Sequence, residues 1–232
     1  METLTRQQAR RLDELALSEH GMSTLSLLEN AGRESAQLLD QLHRAQDPPS
    51  VVIVCGKGHN GGDGLVMARY LLQLQYRVAV VVASETTLLA AESAVNLSLL
   101  REGEQTGITL HQPQINQQNL AMLHEQLSGA CWYVDALLGT GSRGDPRAPL
   151  DQLIRWFNSM SARRIALDIP SGLDCDSGEV GTPCIEADLT FTFVAPKPGL
   201  LPPANKSLVG NIHVIDIGVP QHLVSTVRGL VD

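Results

Sequence analysis

Three stretches of the chain carry residue types from which a site could be built. The first is Gly56-Lys57-Gly58-His59-Asn60-Gly61-Gly62-Asp63-Gly64, with five glycines in nine positions. A loop of this composition lets a ligand approach bare backbone, because glycine puts no Cβ in the way. Val51, Val52, Ile53 and Val54 precede it, a β-branched run that suits a strand buried on both faces. Leu65, Met67, Ala68, Leu71 and Leu72 follow at helical spacing. The order strand, glycine loop, helix aims free backbone N–H groups and the positive end of a helix dipole at the loop, which favours an anionic or polar ligand.

Gly56-x-Gly58-x-x-Gly61 also fits the dinucleotide fingerprint. Two features argue against an ordinary dehydrogenase. Asp63 would place a carboxylate where a pyrophosphate docks, and Glu85 lies later than the acidic residue that the fingerprint expects to contact the ribose. Asp63 itself reads either as a helix N-cap or as a ligand contact.

The second stretch begins with Asp135, near the end of the apolar segment Cys131–Leu137. It continues through Gly139-Thr140-Gly141-Ser142-Arg143-Gly144-Asp145-Pro146, a second glycine loop with an arginine in it. The third is Asp168, which closes the strand pattern Arg163–Ile169, followed by Pro170-Ser171-Gly172-Leu173-Asp174. In an open parallel sheet, ligands bind beyond the carboxyl ends of the strands. The three loops therefore share one rim, and Asp135 and Asp168 read as functional carboxylates pointing into a crevice. Lys197, after another strand end, reads as a solvated loop lysine with a lesser claim on the site.

The elements that must position these loops can be followed along the chain. Helices are expected over Thr3–His20 and from Ser23 or Thr24 through Leu39, then a Pro-containing linker over Gln46–Ser50. Glu29 and Asn30 stand polar among apolar neighbours in the second helix, as a solvated pair or facing a ligand or subunit. Beyond the first glycine loop come a strand Arg77–Ala83, a helix Ser84–Glu102, a strand Ile108–His111 and a helix Asn116–Leu127. Pro149 opens a helix over Leu150–Met160. The last strands are Asp188–Ala195 and Asn211–Ile217, joined by a Pro-rich loop. Successive strand–helix units imply a parallel α/β sheet.

At 232 residues, 43% of them hydrophobic, the chain suits one sizeable α/β domain. A net charge of −8 and the lack of a basic run argue against nucleic acid as a partner. No stretch is long and apolar enough to cross a bilayer, and the charged N-terminus lacks a signal-peptide core, so a cytoplasmic location is the default. Cys55, Cys131, Cys175 and Cys184 form no C-x-x-C pair, and Cys55 and Cys131 read as small core residues. Of seven histidines only His59 falls in a candidate site; the others read as surface or capping residues.

GKGHNGGDGLVMAR, DALLGTGSRGDPRAP and LDIPSGLDCDSGEVG, in this order and spacing, closely resemble the NAD(P)H-hydrate epimerase family, the YjeF N-terminal domain. The resemblance covers nearly the whole chain. It implies a Rossmann-like three-layer α/β/α sandwich over residues 1–232, with N-terminal helices 3–43 packed on the core. It implies epimerisation at nicotinamide C6 of hydrated NADH and NADPH, a cofactor-repair step that feeds an ADP- or ATP-dependent dehydratase, fused C-terminally in many relatives. By motif matching, the substrate contacts would be His59, Asn60, Gly61, Gly62, Asp63, Gly139, Thr140, Gly141, Ser142, Arg143, Gly144, Asp145 and Asp168. A potassium ion is implied at Asn60, Asp135 and Ser171, whose hard oxygen donors suit a hard cation. A homodimer through the N-terminal helices is also implied. His59 departs from the family, which more often has Asn there. Asp168 is the expected acid–base residue. Two other readings are an NAD(P)-dependent oxidoreductase and a non-enzymatic scaffold, since relatives of the fold occur in an mRNA-decapping scaffold; complete motifs around Asp135 and Asp168 favour the enzyme.

Overall fold

The computed structural model describes residues 2–43, 49–102 and 108–229. Apart from Pro49 and Ser50, the expected linker Gln46–Ser50 lies outside them or at their edge. Within them seven strands form one wholly parallel sheet: β1 (Ser50–Cys55), β2 (Arg77–Val82), β3 (Ile108–His111), β4 (Trp132–Ala136), β5 (Arg163–Leu167), β6 (Leu189–Phe193) and β7 (Asn211–Ile215). Their order is β3-β2-β1-β4-β5-β6-β7. The direction of winding reverses between β1 and β4, where Val54 lies opposite Asp135. That reversal opens a crevice beyond the carboxyl ends of these two strands.

The alternation along each strand builds two cores. Val51, Ile53 and Cys55 of β1 face α2 (Thr24–Leu42), α3 (His59–Gln73) and α4 (Ala91–Glu102) through Leu27, Leu39, Leu65, Leu71 and Leu97. Val52 and Val54 face α5 (Gln117–Leu127) and α6 (Leu150–Asn158) through Leu123, Leu153 and Phe157. A strand hydrophobic at every position is thus covered on both sides, as its sequence requires.

The N-terminal helix α1 (Arg6–His20) sits apart from both cores. A Thr5–Gln8 capping box starts it and left-handed Gly21 ends it. Leu12, Leu15 and Ala16 pack against Leu223, Val224 and Val227 of the C-terminal helix α8 (Gln221–Gly229). Neither α8 nor the short α7 (Lys206–Val209) stands out in the sequence pattern.

Several expectations need correction. The segment Ser84–Glu102 is not one helix: a 3₁₀ turn at Thr86–Leu88 precedes α4. The N–H of Ala90 donates to Lys57 O at 2.8 Å, so the chain is drawn over the first glycine loop before α4 begins. Cys131 is exposed, one residue before β4. Glu29 and Asn30 serve packing rather than a ligand. Glu29 accepts from Arg69 and Tyr70, each at 2.7 Å, pinning α2 to α3, and Asn30 Nδ2 donates to Ile217 O at 2.8 Å. β5 stops at Leu167 and β6 at Phe193 because the next residues, Asp168 (φ 62°) and Val194 (φ 64°), are left-handed.

Candidate active site at the sheet's topological switch

The loops after β1, β4 and β5 meet at this crevice. The first two touch through backbone, since a Cβ on Gly56 would lie 1.9 Å from Leu137 O; within the first loop, one on Gly61 would lie 2.0 Å from Gly56 O. Asn60, in the first turn of α3, is buried, and its Nδ2 donates to Leu138 O at 3.0 Å. Its Oδ1 has no partner among the described residues. Leu138 N donates to Ser171 Oγ at 2.9 Å, and Ser171 Oγ donates to Asp135 Oδ1 at 2.7 Å. Asp135 also accepts from Ser171 N at 2.8 Å and Leu137 N at 3.0 Å. The set gathers an amide oxygen, a carbonyl, a hydroxyl and a carboxylate around Leu138. Burial pushes the Asp135 carboxyl up to about 6, against the pull of these hydrogen bonds. An orphaned amide oxygen beside a desolvated carboxylate is an environment that a monovalent cation fits.

Asp168 stands on the other side of Gly139: a Cβ there would lie 4.0 Å from its Oδ2 and 3.3 Å from Asn60 Cβ. Asp168 Oδ1 accepts from Lys197 Nζ, leaving Oδ2 toward the crevice. Lys197 is buried, and its ammonium also donates to Thr192 Oγ1 and Phe193 O, each at 3.0 Å. Its three protons are therefore satisfied, and the solvated-lysine reading is wrong. The left-handed backbones of Asp168 and Val194 flank this ion pair, strain of order 1–3 kcal/mol each at the place where the carboxylate must be aimed.

Asp63 is not an N-cap. Gly58 holds that position, and Asp63 lies in the second turn of α3, buried and without a hydrogen bond among the described residues. Burial first, then the charges of Asp168 and Asp13, push its carboxyl well above the ordinary range, while Lys197 opposes them. Asp13, on α1, carries no signal in the sequence. It is exposed at the surface, and desolvation first, then the charge of Asp168, raise its carboxyl to about 6.

The 139–145 loop presents amides. The N–H groups of Thr140, Gly141, Arg143 and Gly144 have no protein acceptor among the described residues, whereas Ser142 N returns to Gly139 O at 3.2 Å. Arg143 projects into solvent. Asp145 Oδ1 accepts from Thr182 N at 2.8 Å and so ties the loop's far end. His59 is exposed at the rim, its Nε2 3.4 Å from Glu92. The crevice thus gathers Asn60, Asp63, Asp135, Gly139, Asp168 and Ser171, while the His59 and Arg143 side chains are exposed. An apolar hollow of about 340 Å³ lined by Leu200, Pro203, Lys206 and Ile212 lies elsewhere, beside β7.

Arg6, at the first turn of α1, is a second residue without a sequence signal. Its Nε donates to Thr140 O, and its Nη2 to Ser142 O at 3.0 Å and to Asp174 Oδ2 at 2.8 Å. By occupying the loop's carbonyls it turns the amides outward. Hydrogen bonds to a charged group contribute ~1.5–3 kcal/mol, so Arg6→Ala is expected to raise the loop ligand's dissociation constant about tenfold, measured by titration calorimetry. Burial opposes ionisation of Asp174, but Arg6 and the amides of Ser177 and Asp176 together hold its carboxyl far below its ordinary value of 3.8. A depressed carboxyl adds stability above its unfolded pKa and loses it as pH falls through the folded one. Melting curves below pH 4 should therefore fall more steeply for the wild type than for Arg6→Ala.

Comparisons place this architecture among known proteins. The model of "YjeF-related protein N-terminus" matches residues 24–199. NAD(P)H-hydrate epimerase of Pirellula staleyi is 39% identical over 226 residues, covering 97% of this chain and 96% of the relative. The bifunctional NAD(P)H-hydrate repair enzyme Nnr of Salinibacter ruber is 39% identical over 216 residues, covering 90% of this chain but 39% of the relative. The chain therefore spans about two fifths of that bifunctional protein and nearly all of the single-function one. The crystal structure of yeast ynu0, YNL200c, superposes with a TM-score of 0.70 at 24% identity, over 86% of this chain and 83% of that one, a likeness of fold. With the switch-point crevice and its three loops, these matches establish that the chain belongs to the family of YjeF-related protein N-termini.

Proposed function

We propose that this chain epimerises hydrated NADH and NADPH at C6 of the nicotinamide ring, exchanging the R and S forms. The observation that carries the reading is the meeting of two amide-rich glycine loops with a half-freed carboxylate oxygen, Asp168 Oδ2, in one crevice. Free amides at Thr140, Gly141, Arg143 and Gly144 and at the start of α3 suit the dinucleotide's phosphates. Asp168 is left for the ring.

The ring nitrogen pushes its lone pair toward C6 and the C6–O bond breaks. The departing hydroxyl takes a proton and leaves as water, giving a flat iminium. Water then adds to the opposite face and gives up a proton as the C–O bond forms. The departing hydroxyl takes its proton from solvent. Asp168 Oδ2, the free oxygen of a carboxylate paired with Lys197, takes the proton of the incoming water on the opposite face and passes it to solvent, so the carboxylate ends as it began. Lys197 holds Oδ1 and fixes which oxygen faces the ring. The test is chiral chromatography of purified R-hydrate incubated with the protein, compared with the spontaneous rate. Interconversion no faster than that background would refute the reading.

In this reading Asn60, Asp135 and Ser171 hold a potassium ion, which offsets the buried carboxylate's charge and ties the β1, β4 and β5 loops together. Replacing potassium by tetramethylammonium is expected to lower the melting temperature by several degrees. Asn60→Ala should melt low in both salts; a full potassium response in that variant would remove Asn60 from the set. The same reading includes a dehydratase partner acting on the S form and a homodimer through the N-terminal helices, the latter checked by sedimentation.

A further inference from the structure

Two histidines outside the crevice meet across the length of the chain. His20 is the last residue of α1 and His222 the second of α8. Their Nε2 atoms lie 3.2 Å apart, with the ring centroids 5.1 Å apart and the planes tilted by 54°. The Glu19 carboxylate joins them, and the three ligand atoms all lie within 4.8 Å of one another. All three residues are exposed.

We propose that Glu19, His20 and His222 form a surface site for a divalent transition metal, zinc above all, that latches α1 to α8. In a tetrahedral zinc site with Zn–N of about 2.0–2.1 Å, two ligand nitrogens stand about 3.3–3.4 Å apart. The imidazoles already hold nearly that separation, and no other protein group among the described residues claims either ring nitrogen. A turn of the exposed Glu19 side chain brings in the oxygen, and water fills the fourth position. Two nitrogens and one oxygen suit Zn²⁺, Co²⁺, Ni²⁺ or Cu²⁺, and not the hard cations that oxygen-only donors prefer.

A plain hydrogen bond between the two rings would give the same contact. It would not explain a carboxylate at the same point, nor why these groups come from helices that enclose a small core of their own. Leu12, Leu15, Leu223 and Val227 form that core, distinct from the two cores that flank the sheet. A metal cross-link at its rim holds α1 to α8. The site is far from the crevice: Arg6 and His20 are fourteen residues apart on one helix, about 21 Å at 1.5 Å per residue. Its role is therefore structural, and it does not depend on the epimerase reading.

The experiment uses the full chain, stripped with a chelator and titrated with Zn²⁺, Co²⁺ and Mg²⁺. One Zn²⁺ per chain is expected by calorimetry, with an intense visible Co²⁺ spectrum of the tetrahedral kind, no response to Mg²⁺, and a melting temperature several degrees higher with saturating zinc. His20→Ala and His222→Ala should each weaken zinc at least tenfold and abolish the melting shift, while their metal-free melting stays close to that of the wild type. Glu19→Gln should weaken zinc less. Binding that survives in both histidine variants, one ion per two chains by sedimentation, or no stoichiometric binding below about 100 µM zinc would each overturn the proposal.

Discussion

Asp168→Asn is expected to slow epimerisation by about 10²–10⁴-fold, the range over which a positioned proton carrier acts. The substitution isolates chemistry from geometry. Asn tolerates the left-handed backbone that Asp168 adopts at φ 62°, whereas Ala there would add strain of its own. The amide oxygen can still accept from Lys197. What disappears is the carboxylate oxygen that takes the proton of the incoming water. The variant also leaves the buried Lys197 ammonium without a counter-charge, and breaking a buried pair on one side costs ~3–5 kcal/mol. A fall in melting temperature should accompany the loss of rate. The double variant Asp168→Asn, Lys197→Met separates the two effects. Its melting temperature should recover toward the wild type, while the rate found by chiral chromatography stays at the level of the single variant. Recovery of rate with stability would show that Asp168 acts only by holding the fold.

The second large effect concerns the contact between loops. Gly61→Ala would set a Cβ 2.0 Å from Gly56 O, and Gly56→Ala one 1.9 Å from Leu137 O. Both obstacles are backbone, so neither can swing aside as a side chain could. Each variant is expected to lose at least ~3 kcal/mol, about 6–12 °C of melting temperature for a domain of this size. Gly58→Ala is the control. It belongs to the same loop, its φ of −87° suits any residue, and a Cβ there meets nothing within 4 Å. Losing glycine at an N-cap costs under ~1 kcal/mol. Gly61→Ala tests the closure of the first loop on itself and Gly56→Ala its contact with the second; if Gly56→Ala melts like Gly58→Ala, the two loops do not meet as described.

These two expectations differ in how much the sequence already held. Five glycines between a β-branched run and a helical pattern mark a strand–loop–helix unit, and repeated units of that kind imply a parallel sheet with its sites at one rim. Such signals are local: an apolar period of two or of 3.6 depends only on which face a residue turns to the core. That is why the strands fell within one or two residues of their expected bounds, and why Asp135 and Asp168 could be singled out in advance, whereas Asn60 and Ser171 were implied only by the resemblance to a known family. The pattern misjudged Ser84–Glu102, because the hydrogen bond that precedes the helix and delays its start to Ala91 runs from Ala90 to Lys57, more than thirty residues back.

By itself, then, the sequence determined the class of fold and the rim on which a site must lie, while the oxygen donors around Leu138 were implied by the family resemblance. Only the tertiary structure decided what surrounds them. Lys197 reads as a loop lysine until β6 carries it under Asp168. Asp63 reads as a cap until α3 is seen to begin five residues before it, at Gly58. Arg6 and Asp13 have no neighbours in the sequence that hint at a role, and only the folding of α1 across the mouth of the crevice brings them to it. Charges act through space, and whether a carboxylate is paired, buried or free depends on groups 170 or more residues distant in the sequence, as the bond from Arg6 N to Asp176 shows.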